Sequence, residues 1–122
     1  MAIFIFGVNF GEKKLVKKAL TSFFALGTQS ADRIMAKYSI FPRQRLEALS
    51  PKTIMQLTAE LSTMPIENDA RKVVQNNIKR LRDMGSYRGK RHVMGLPVRG
   101  QRARNQNATS ARLNRLERFG RW

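Results

Sequence analysis

The chain has 122 residues, with 24 Lys and Arg against 8 Asp and Glu, one histidine and no cysteine. A formal charge of +16 exceeds the roughly 2–8 that keeps a small domain soluble, so a polyanionic partner is expected; a disulfide scaffold and thiolate zinc sites are excluded, and no apolar run approaches the ~20 residues of a bilayer span. Residues 1–70 hold 9 basic and 6 acidic residues and residues 71–122 hold 15 and 2, an asymmetry that points to nucleic acid or an anionic membrane as the partner.

AIFIFGV, residues 2–8, is a short apolar piece that reads as a strand or as an extended segment lying on a helical core. A helix is expected from Lys13 to Phe24. Val16, Ala19, Leu20 and Phe23 repeat at three and four, with Lys13, Lys14, Lys17 and Lys18 on the other side. Gly27 suits the left-handed position after that helix. Thr28 or Ser30 caps a second helix whose stripe is Ala31, Ile34, Met35 and Tyr38, and Phe41-Pro42 stops it. The short spacing predicts a helix–turn–helix-like corner. Ser50-Pro51 opens a third helix as N-cap and first helical residue, with Leu49 and Ile54 spaced as a hydrophobic staple. It continues through Leu57 to Leu61 and turns at Met64-Pro65. The fourth helix, about Glu67 to Met84, has the clearest stripe: Ala70, Val73, Val74, Ile78 and Leu81. Glu67 and Asp69 read as its N-terminal acids, and Gly85 ends it.

After Gly85 helix-length periodicity disappears, and residues 85–122 carry 10 basic residues and one acid. A short helical piece at 86–92 and a brief helix at 108–118 on docking are the only elements expected there. The predicted fold is all-α: a helical domain over residues 1–90 and a long extended basic tail over 91–122.

Catalysis finds no parts. One histidine and no cysteine leave most metal and nucleophile constellations incomplete, GVNFG at 7–11 is not a dinucleotide fingerprint, and no cofactor or metal is expected. The constellation that remains is Tyr87, Arg88, Lys90, Arg91, His92, Arg99, Gln101, Arg102, Arg104 and Asn105. Guanidinium forks bind phosphate with paired bonds and stack on bases. Tyr87 and His92 suit stacking on unpaired bases. Gln101 and Asn105 suit sugar or base edges. Gly89, Gly95 and Gly100 allow backbone amides to approach a phosphate. Membrane binding is disfavoured, because the tail lacks the broad apolar face of an interfacial helix. On residues alone the alternative is a free basic helical module binding duplex DNA or RNA, or a factor that visits a ribonucleoprotein transiently. The absence of bases from the corner at 25–32 argues against the duplex-DNA version.

Asn77 to Asn107, NIKRLRDMGSYRGKRHVMGLPVRGQRARNQN, resembles the signature of the small-ribosomal-subunit protein thirteen family: NIKRL, GxYRGxRH, then GLPVRGQR. GVN at 7–9, FFALGTQSA at 23–31 and the segment at 49–61 extend the resemblance over almost the whole chain. ELSTMPIENDAR at 60–71 and ATSARLNRLERFGRW at 108–122 are similar to the fungal mitochondrial branch. The resemblance implies a helix–two-turn–helix unit and a threading tail, in the head of the small subunit of the mitochondrial ribosome. It also implies ribosomal RNA as ligand, the head protein of the number-nineteen family as neighbour, a large-subunit protein across an intersubunit bridge, and peptidyl-site transfer RNA near the tail. Lys79 and Arg80 of NIKRL join the RNA-contact set on this ground. Three departures stand out. Ala25 replaces a family glycine, Thr28, Gln29 and Ser30 replace arginines, and Val93 and Met94 replace bases. The acid-poor N-terminal stretch reads as an ordinary basic helix, with an uncleaved import signal as the alternative.

Overall fold

The computed structural model describes residues 2–114. Its contacts divide into two compact units that meet in sequence at Ala70 and Arg71. The sequence reading set its boundary at 90/91, where charge and periodicity change.

The first unit opens on a β-hairpin, which corrects the all-α expectation. Strand β1 (Ala2–Ile5) pairs antiparallel with β2 (Val8–Gly11), Ile3 opposite Phe10 and Ile5 opposite Val8. Phe6 and Gly7 make the two-residue turn, both at positive φ (45° and 81°), the handedness that matches strand twist. Phenylalanine is an unusual occupant there, and its ring packs edge-on against Phe23 at 5.9 Å. Alternation puts Ile5 and Phe10 into the core.

Helix α1 is only Val16–Leu20, not Lys13 to Phe24. Its start is delayed because Leu15 bridges to Arg45 and Lys14 accepts the Leu46 amide. Its end comes early because the Thr21 hydroxyl donates to the Lys17 carbonyl at 3.0 Å and the Ser22 hydroxyl to the Ala19 carbonyl at 2.6 Å, local bonds that compete with helix continuation. The predicted stripe is nonetheless buried: Val16, Ala19, Leu20 and Phe23. On the lysine side, Lys17 pairs with Asp32 at 2.8 Å and Lys14 lies 4.8 Å from the Phe10 ring centroid.

The turn into α2 (Thr28–Lys37) reverses two expectations. Gly27 is extended (φ −87°, ψ 178°) and is itself the N-cap, so neither Thr28 nor Ser30 caps the helix. The left-handed residue is Ala25 (φ 69°), the position where the resembling family carries glycine. A left-handed L-residue costs roughly 1–2 kcal/mol, against about 0.4–1 kcal/mol of extra unfolded-chain entropy for glycine. Ala25→Gly is therefore expected to raise the urea midpoint, by about 0.5 kcal/mol in stability; a lowered midpoint would show the position to be unstrained.

Helix α2 closes in a Schellman motif before Phe41-Pro42 is reached. The Ile40 amide bonds the Met35 carbonyl at 2.8 Å and Ser39 that of Ala36 at 3.1 Å, with Ser39 at φ 53°. A 3₁₀ turn at Leu46–Ala48 buries Leu46. Helix α3 (Pro51–Thr63) starts where the sequence places it, Ser50 Oγ accepting the Thr53 amide at 3.2 Å. Leu49 and Ile54 are half-buried against the core, and Leu57 and Leu61 lie within it.

Asp69 lies in the first turn of the fourth helix, α4 (Asn68–Asp83), as expected, and Glu67, directly before that helix, has a second attachment. Glu67 sits at φ 50° and forms a clasp with Phe24. Its amide donates to the Phe24 carbonyl at 3.1 Å, and its Oε1 accepts the Phe24 amide at 2.8 Å. The clasp holds the segment beside Ala25 and accounts for how that left-handed residue persists.

The apolar core lies between Ile5 and Ile66. The helix with the clearest stripe, α4, buries none of its residues, and Val73 is 56% exposed.

The second unit corrects the extended tail. Two further helices, α5 (Tyr87–Val93) and α6 (Ala103–Leu113), leave only residues 94–102 without helix between them. α6 covers the first part of the helix expected at 108–118 and begins five residues earlier; positions 115–118 lie outside the described residues. Alanines at 103, 108 and 111 favour helix, and the Ser110 hydroxyl, buried, donates to the Gly95 carbonyl at 3.1 Å. No helix among the described residues is long and apolar enough to cross a membrane.

Candidate nucleic-acid interface

The root of the second unit is the junction of α4 and α5. Met84, Gly85 and Ser86 close α4 in a Schellman motif, the Ser86 amide bonding the Leu81 carbonyl at 3.3 Å and Gly85 that of Arg82 at 2.9 Å. Ser86 then caps α5: its Oγ accepts the Gly89 amide at 3.1 Å and donates to the Leu81 carbonyl at 2.8 Å. Gly89 is buried. A Cβ built there would meet the Leu81 carbonyl oxygen at 2.3 Å. The close approach expected between Gly89 and a phosphate is thus an approach to α4, with its amide already bonded.

Helix α5 presents Tyr87, Arg88, Lys90, Arg91 and His92. Tyr87 is 73% exposed, with the Arg91 guanidinium 5.8 Å from its ring centroid. Arg91 Nε donates to the Pro97 carbonyl at 3.1 Å. One arginine therefore stacks on the exposed aromatic and straps down the segment after the helix. α5 also ends in a Schellman motif, Leu96 bonding Arg91 and Gly95 bonding His92. Gly95 is left-handed (φ 69°), with Ala111 of α6 3.9 Å from where its Cβ would be. The positive φ is what favours glycine there, since a Cβ would meet Ala111 only at ordinary contact distance.

His92 faces a small cavity of about 30 Å³ that it lines with Ile78, Lys79, Arg82 and Val93. Its Nδ1 is buried without a hydrogen-bond partner among the described residues. Burial, and then the positive Arg88, hold the imidazole below its ordinary 6.5, so it is neutral at neutral pH and suited to stacking rather than to phosphate charge. The sign of the pH effect follows. As pH falls below 6.5 the unfolded chain takes up the proton first, so stability falls through that window and is fully present above it. Acidification from pH 7 to 5 is expected to lower the urea midpoint, and His92→Gln to flatten the dependence; an unchanged slope in the variant would remove His92 from that role.

Lys79 and Arg80 are exposed on α4. Arg99, Gln101 and Arg102 are exposed on the non-helical stretch, which Gly100 (φ 69°) turns, with nothing within 4 Å of its absent Cβ. Arg104 and Asn105 are exposed on the first turn of α6, not on an extended thread. Arg88, Lys90, Arg99, Arg102 and Arg104 have no protein partner among the described residues, whereas Arg91 and His92 are partly committed to packing. Asp83 is the only acid from Arg71 to Asn114, and it lies 3.6 Å from Arg82. Arg82 lines the cavity with Lys79 and His92, and Arg112 is exposed in the last turn of α6; neither is in the set read from the sequence. The signal for Arg82 was its spacing of three from Lys79, which puts both on one helix face. No group of three or more metal-ligating side chains occurs among the described residues.

This surface can neutralise phosphates over α5, the bend and α6, and it offers one exposed aromatic for stacking. The ribosomal protein S13/S18 family model matches residues 4–109. The small ribosomal subunit protein uS13m of Neurospora crassa is 64% identical over 118 residues, covering 97% of this chain and 99% of that protein. The protein of the same name in Schizosaccharomyces pombe is 39% identical over 118 residues, covering 97% and 78%.

Proposed function

The chain belongs to the ribosomal protein S13/S18 family, and from that premise we propose that it binds small-subunit ribosomal RNA through α5, residues 96–102 and α6. It is a structural protein of the small subunit of the mitochondrial ribosome, not an enzyme. The observation that carries the RNA reading is the set Arg88, Lys90, Arg99, Arg102 and Arg104, which have no protein partner among the described residues, with Asp83 the only acid from Arg71 to Asn114. A compact unit with so little internal neutralisation gains most from a polyanion that releases its counterions on contact. In this reading residues 91–122 are an RNA-binding tail that contributes Arg91, His92, Arg99, Gln101, Arg102, Arg104 and Asn105 as contacts, and Lys79, Arg80, Tyr87, Arg88 and Lys90 add contacts from the residues before it. The neighbouring head protein of the number-nineteen family, a large-subunit bridge protein and peptidyl-site transfer RNA complete the proposed partners.

Sedimentation of mitochondrial extract at moderate salt tests this placement. The chain is expected to travel stoichiometrically with small subunits. Recovery only in the soluble fractions would refute it.

A further inference from the structure

The first unit carries a groove that the RNA reading does not use. Ser30, Arg33, Ile34 and Lys37 recur at three and four along α2 and form one wall, and Glu60 and Met64, a turn apart at the end of α3, form the other. The cavity between them is about 240 Å³, below the roughly 300–1,000 Å³ of a drug-sized ligand site, so it suits one planar group rather than a whole cofactor. One end is closed by Lys37 Nζ on Glu60 Oε2 at 2.6 Å, with the Tyr38 hydroxyl donating to the same oxygen at 3.0 Å. These bonds, Lys37 first, hold the Glu60 carboxyl below its ordinary value, so it stays an acceptor at neutral pH. A carboxylate has about four acceptor positions, and two bonds leave it room for another donor. Ile34 and Met64 supply an apolar floor. Arg33 and Ser30 have no partner among the described residues.

We propose that this groove holds one unpaired nucleotide of RNA, its phosphate on Arg33 and Ser30 and its base over Ile34 and Met64 with an N–H edge toward Glu60. The proposal rests on the reading of the chain as an RNA-binding protein. The observations favour a nucleotide because the groove joins an unpaired guanidinium, an apolar floor and an acceptor, the three things a phosphate, a base face and a base edge require. A paired base is excluded, because its edge is occupied and its face stacked.

The test uses the full chain and two RNA probes, an unpaired pyrimidine-purine oligonucleotide and a blunt hairpin duplex of equal phosphate number, read by fluorescence anisotropy. Arg33→Ala is expected to weaken the unpaired probe about tenfold, the scale of one charge-assisted bond, and to leave the hairpin within the small loss given by Arg43→Ala, a control for removing one exposed charge from the same unit. Equal loss on both probes would reduce Arg33 to general electrostatics and overturn the groove. No loss on either, with parent binding intact and salt-dependent, would overturn the groove alone. Failure of the parent to bind either probe would overturn the RNA reading and the groove with it. Photocrosslinking of a thiolated base in the unpaired probe gives a second readout, expected on the peptide carrying Met64; crosslinks confined to residues 87–114 would count against the proposal.

Discussion

Gly89→Ala is expected to cost about 3 kcal/mol of unfolding free energy, the upper end of overpacking effects, although it adds a single methyl group to a helix. The new Cβ would lie 2.3 Å from the Leu81 carbonyl oxygen and 2.5 Å from its carbon. Those are backbone atoms, so no rotamer change relieves the clash and α5 must move off α4. Movement breaks the two bonds of Ser86, to Leu81 and to Gly89, and withdraws His92 from its cavity beside Ile78 and Arg82. Helix propensity alone points the other way, since alanine is better than glycine in a helix by about 1 kcal/mol. Equilibrium urea unfolding separates the two accounts: a raised midpoint would mean that the contact between the two helices is not close. Ser86→Ala, which loses a cap and a hydrogen bond but adds no clash, should fall between Gly89→Ala and the parent protein.

Combined replacement of Arg99, Arg102 and Arg104 by alanine is expected to flatten the salt dependence of RNA binding by about 2–3 in the slope of log Kobs against log salt, three phosphates at roughly 0.7–0.9 each. Affinity at low salt should fall steeply, and the difference from the parent should shrink as salt rises. Stability should hardly change. All three side chains are exposed, without protein partners among the described residues, Arg102 caps α6 without a side-chain bond, and alanine at 104 favours helix. A parent slope retained by the triple variant would remove these arginines from the interface.

Much of the first unit is legible in the sequence because its signals are local. Ser50-Pro51 marks the start of α3 through a cap that reaches three residues, and the buried faces of α1, α2 and α3 follow from spacings of three and four. The charge row from Arg88 to Arg104 is likewise visible as composition. The misreadings have two causes, local side-chain bonds that compete with helix and contacts distant in sequence. Thr21 and Ser22 illustrate the first, ending α1 through their hydroxyls ahead of the left-handed Ala25. Glu67 reads only as a helix-terminal acid until Phe24, 43 residues earlier, is seen to bond it twice. Gly89 reads as room for a phosphate until Leu81 is found against it. The extended tail becomes α6 because Ser110 reaches back 15 residues to Gly95.

The sequence by itself determined the charge asymmetry and most of the buried faces, since net charge and helical period are properties of neighbouring residues. Only the tertiary structure decided which cations lack a protein partner among the described residues. Arg91 and Arg99 are the same side chain in the sequence. In the fold one straps Pro97 and stacks on Tyr87, and the other stands in solvent. That difference is set by the turn after α5, which brings the Pro97 carbonyl back to Arg91, a geometry that residue type alone does not encode.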